Sequence, residues 1–84
     1  MNDAITIRHS RPEDTGALRR LAALDDRRAP TGDALLAFVD GSLAAAQPLA
    51  PGSGPVADPF RRTRDLLALL DLRASQERTL RSAA

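Results

Sequence analysis

The chain opens on an alternation. In "AITIRH", Ile5 and Ile7 are separated by Thr6 and flanked by Arg8, the period-two pattern of a strand buried on one face. "SRPE" follows, and Ser10 with Glu13 three residues later predicts a capping box, with Pro12 suited to a first helical turn. The period then lengthens. Ala17, Leu18, Leu21 and Leu24 fall on one helical stripe, leaving Arg19, Arg20 and Asp26 towards water. Gly16 weakens this helix by about 1 kcal/mol relative to Ala, and "APTG", Ala29 to Gly32, predicts its end.

The next stretch, "ALLAFVDGSLAAAQPL", places Asp40-Gly41 between two strand-like runs, the signature of a hairpin with a type I′ turn. Its first strand is apolar on both faces, Leu35, Ala37 and Val39 on one and Leu36 and Phe38 on the other. Each face of the sheet therefore needs a cover, which two helices supply. "APGSGP" is a turn-rich connection, and "PVADP" predicts a short strand whose bracketing Pro55 and Pro59 belong on a sheet edge.

A final helix is predicted from about Thr63, its cap, to Leu80. Leu66, Leu67, Leu70 and Ala74 form its stripe, and Leu69, Leu72 and Leu80 widen the apolar arc beyond what one sheet face covers. Arg73–Glu77 and Glu77–Arg81 are spaced for four-apart ion pairs. The order is β-α-β-β-β-α, an α+β fold with a mainly antiparallel sheet covered by two helices, in a single small domain spanning residues 1–84.

Composition narrows the functions. At 84 residues the buried fraction is small and the core is mostly Leu and Ala, with two Phe and no Trp or Tyr, so a partner subunit would help to stabilise it. Every basic residue is Arg, and the net charge of +1 offers no footprint for nucleic acid. The absence of cysteine excludes disulfides and a thiol nucleophile, and a single His makes a metal site unexpected. "MNDAITIR" lacks the features of a secretion signal and no segment approaches a membrane span, so a cytoplasmic protein without membrane association is expected.

Three stretches resemble the N-terminal half of the GNAT-type N-acetyltransferases: "ITIRHSRPEDTGALRRLAAL", the hairpin "LLAFVDGSLAAAQPL", and "PVADPF" before a helix. The resemblance covers roughly Ala4 to Ala74, about half of a full family domain. In that family the fourth strand leads into a glycine-rich loop whose N–H groups and following helix N-terminus hold the pyrophosphate of acetyl-CoA. Here the loop reads "DPFRRT", without glycine and with Pro59 in place of a donor. The family's fifth strand has no counterpart in these residues, and there is no Tyr to act as general acid.

The candidate residues follow from that comparison. Arg61, Arg62 and Thr63 could form a crude anion site at the helix entrance, although a solvated entrance capped by Thr63 explains the same residues. His9 reads as a strand-end residue, Asp58 as a turn residue before Pro59, and no catalytic group is assigned. Three functions stay open. The first is a truncated, non-catalytic GNAT-like domain with a structural or regulatory role, acting as a homodimer or on a partner protein through Leu69, Leu72 and Leu80. The second is an N-acetyltransferase site, with acetyl-CoA as cofactor, completed by a second chain. The third is a small-anion or nucleotide-binding module built on Arg61 and Arg62.

Overall fold

A four-stranded antiparallel sheet lies between two helices in the computed structural model, which describes residues 4–30, 32–50 and 54–83. Strand β1 (Ile5–His9) is followed by a 3-10 turn (Pro12–Asp14) and helix α1 (Thr15–Leu24). Strands β2 (Ala34–Val39), β3 (Ser42–Pro48) and β4 (Val56–Ala57) and helix α2 (Arg64–Ala83) complete the chain. The sheet order is β1-β2-β3-β4, every pair antiparallel. The α+β reading from the sequence is correct. Part of the connection "APGSGP", residues 51–53, lies outside the described residues.

The doubly apolar β2 is buried as its pattern requires. Leu35 and Ala37 pack under α2 with Ala44, Ala45, Leu49, Leu66, Leu70 and Ala74. Leu36 turns to the other face and meets Leu18, Leu21, Ala22, Ala46 and Val56. Small side chains at Ala44–Ala46, all fully buried, let a helix approach β3 from each side. Replacing one with a larger residue would overpack the layer.

The hairpin turn falls at Asp40-Gly41, with φ of 50° and 83°, the positive pair that a type I′ turn demands and glycine accommodates. Beyond it the register slips, because Ala37 pairs with Ala45 but Phe38 pairs with Leu43. Ala44 is thus a bulge residue, facing α2 together with its neighbour Ala45. Its carbonyl accepts the Asp58 N–H at 2.9 Å and fixes where β4 ends.

Three local expectations differ from the structure. Ser10 does not form the capping box with Glu13. Its Oγ accepts the Ala34 N–H at 3.2 Å, while the Asp14 carboxylate takes the Arg11 N–H at 2.7 Å, because the chain enters α1 through a 3-10 turn. Helix α1 ends at Leu24, before "APTG". Asp26 there adopts φ 51° and the Arg27 N–H bonds back to the Ala22 carbonyl at 2.9 Å, a Schellman-type closure that no glycine announces. Finally, Ile5 shares a face with Ile7 but stays 52% exposed, since α2 seats over β2 and β3 rather than the edge strand.

Candidate functional site

The entrance to α2 is built around Asp58. After β4 its side-chain Oδ1 accepts the Phe60 N–H at 2.9 Å and its carbonyl accepts the Arg61 N–H at 3.2 Å, closing a turn around Pro59. The second carboxylate oxygen lies 3.5 Å from Arg61 Nε. Asp58 is therefore the turn residue that the sequence favoured. Its carboxylate also occupies donors that an anion in this loop would use.

Thr63 sits immediately before α2, and its carbonyl accepts the Leu67 N–H at 2.8 Å, as a cap position requires. Arg62 differs from Arg61 in making no ion pair among the described residues. It lines two surface depressions. One is formed with Thr63, Arg64 and Asp65. The other is a cleft of about 430 Å³ bounded by Ile5, Val39, Arg61, Arg62, Asp65, Leu66 and Leu69. The three expected anion-site residues thus share one helix entrance without converging on a single point. Among the described residues, no group of three or more His, Cys, Asp or Glu is placed to hold a metal.

His9 is tied to structure rather than to a nucleophile. Its Nε2 lies 2.7 Å from Glu77 Oε1, joining the end of β1 to α2. Glu77 was expected to serve Arg73 in a four-apart pair, but the helix presents it to the sheet instead. The alternative partner's side chain, at Arg81, lies outside the described residues.

The best-defined polar constellation was not singled out from the sequence. Arg8 Nη1 and Nη2 donate to Asp14 Oδ2 and Oδ1 at 2.8 and 2.9 Å, a two-point contact between residues six apart. The Arg8 guanidinium also lies 4.7 Å from the centre of the Phe38 ring. Hydrogen bonding from Arg8 holds the buried Asp14 carboxyl down at about 2 against an ordinary 3.8, outweighing burial, which pushes the other way, with the Arg11 N–H adding to the depression. The same bond raises the Arg8 pKa. A signal for it was present in "IR" followed by "PED", one basic and one acidic residue either side of a turn. Pairing them required knowing that the turn folds back on the strand.

No helix among the described residues is long and apolar enough to cross a membrane. Large apolar side chains nevertheless reach the surface at Ile5, Phe60, Leu69, Leu72 and Leu80. No family model, curated protein or solved structure matches this chain.

Proposed function

We propose that this chain is a non-catalytic domain of GNAT-like type whose role is structural or regulatory, exercised by self-association through the outer flank of α2. The observation that carries the reading is the exposure of Leu69, Leu72 and Leu80, at 39%, 54% and 70%, on one helix. Burying a leucine fully is worth roughly 1.5–3 kcal/mol, less for Leu69, which is already partly covered. That is a large increment for a small domain with a Leu and Ala core. A two-fold dimer is the commonest closed arrangement and would cover the same flank on both copies.

The engagement of Asp58 with the Phe60 N–H and with Arg61 supports the non-catalytic half of the reading. A pyrophosphate would have to displace a carboxylate already in place, in a loop where Pro59 offers no donor. Calorimetry with acetyl-CoA should therefore show no saturable heat at micromolar concentration, and a saturable isotherm would return the acyltransferase reading to first place. Sedimentation of the wild type beside Leu69→Glu and Leu72→Glu tests association. The wild type should be dimeric at high micromolar concentration and the charged variants monomeric. A monomeric wild type, with the same melting temperature in both variants, would remove self-association as the function.

A further inference from the structure

We propose that the groove between the β1 edge and the start of α2 binds an extended peptide by its C-terminus, the peptide adding an antiparallel strand to β1. At the two ends of β1 the Ala4 carbonyl accepts the Asp40 N–H at 2.9 Å and the Ser10 N–H donates to the Ala34 carbonyl at 2.8 Å. The even-numbered residues therefore turn to β2, and Ile5, Ile7 and His9 turn their N–H and C=O groups outward. The His9 carbonyl is taken by Arg8 Nη1 at 3.0 Å. Among the described residues nothing pairs with the outward groups of Ile5 and Ile7, which leaves a strand-binding template.

The side chains beside that template specify the occupant. A strand running antiparallel to β1 travels from the His9 end to the Ile5 end. Its last residue would stand opposite Ile5 with its side chain on the α2 face, where Ile5, Val39, Leu66 and Leu69 wall the cleft. The terminal carboxylate then arrives beside Arg62, the lining guanidinium that makes no ion pair among the described residues. Arg61 is already engaged by Asp58, and Asp65 is the carboxylate that also lines the cleft. What the mouth offers an anion is therefore the Arg62 guanidinium together with the N-terminus of α2, set against Asp65. Main-chain bonds along β1 supply affinity, and the apolar cleft selects a final residue such as Val or Leu.

The inference goes beyond self-association and stands without it, although Leu69 borders both surfaces. The test titrates the isotopically labelled chain with acetyl-Lys-Thr-Val-Thr-Val carrying a free carboxylate, and with the same peptide as its C-terminal amide. The acid should bind saturably, move the Ile5 and Ile7 amide signals and slow their hydrogen exchange, while the amide binds about tenfold more weakly. Arg62→Ala, at an exposed position, should erase that difference. Ile7→Pro removes an outward N–H, along with an apolar side chain packed against the core, and should abolish binding. If that variant unfolds, the acid-to-amide ratio and Arg62→Ala still decide the matter. Repeating the titration on Leu72→Glu should give unchanged affinity whatever that variant does to sedimentation. Equal binding of acid and amide, no binding at millimolar peptide, or signal changes centred away from β1 would each overturn the proposal. So would concentration-dependent protection of Ile5 and Ile7 without peptide, which would put a second copy on the edge.

Discussion

At one margin of the sheet β4 is two residues long, sits between Pro55 and Pro59, and has its outward Ala57 N–H bonded to Asp25 Oδ2 at 3.1 Å. Asp25 is itself held by Arg27 Nε at 3.2 Å. At the other margin β1 is five residues long, and the outward groups of Ile5 and Ile7 meet nothing among the described residues. Its polar contacts, Arg8 to Asp14 and His9 to Glu77, fasten the strand to both helices through side chains. They hold the strand in place but leave most of its outward backbone free. A sheet of this size has two edges to protect, and this one blocks the β4 edge while anchoring the β1 edge and leaving it available. The short strand in "PVADP" lies on a sheet edge as its prolines indicate, and the carboxylate of Asp25 covers the outward Ala57 N–H there.

The largest effect is expected at Asp14, which anchors the β1 edge through Arg8. Asp14→Ala strands the Arg8 guanidinium against Phe38 and frees β1 from the start of α1. The expected loss is about 2–3 kcal/mol, at or just below the low end for a broken buried pair, because the Arg8 side chain keeps 29% exposure. A lower urea midpoint with an unchanged slope would show it, and an unchanged midpoint would mean that β1 is anchored elsewhere.

Acid should act through the same group by degrees. With its folded pKa depressed to about 2 from 3.8, Asp14 contributes stability that is fully present above 3.8 and is lost as pH falls through about 2. Melting temperatures measured across that window should fall in the wild type and change less in Asp14→Asn. Parallel curves would assign the acid loss to other carboxylates.

The smallest effect is expected at the blocked edge. Asp25→Ala exposes the Ala57 N–H to water, which can replace the lost partner, so the loss should be about 0.5–1.5 kcal/mol. Hydrogen exchange at Ala57 should accelerate while exchange along β2 is unaltered. A rise in aggregation with the same variant would show that this carboxylate guards the edge as well as stabilising it.

The element order was legible because each element carries its own period. Alternation at Ile5–Ile7, the doubly apolar β2 and the Asp40-Gly41 pair specify strands and a turn through local sterics and one-sided burial. The exposure of Leu69, Leu72 and Leu80 was legible for the same reason, since an apolar arc too wide for one face must leave some of itself in water. The candidate site was legible only as a list: Arg61, Arg62 and Thr63 do stand at a helix entrance, but that Arg61 is engaged by Asp58 and Arg62 is not depends on how the turn around Pro59 closes. Periodicity alone reaches the set of elements and their apolar faces. Which polar groups meet is settled only by packing: Asp14 under Arg8, Ser10 at Ala34, Glu77 at His9, Asp25 on β4. Periodicity records the side of an element that avoids water and is repeated every few residues. A hydrogen bond depends on two atoms approaching to within about 3 Å, and residues 24, 32 or 68 apart reach that distance only after the layers have packed.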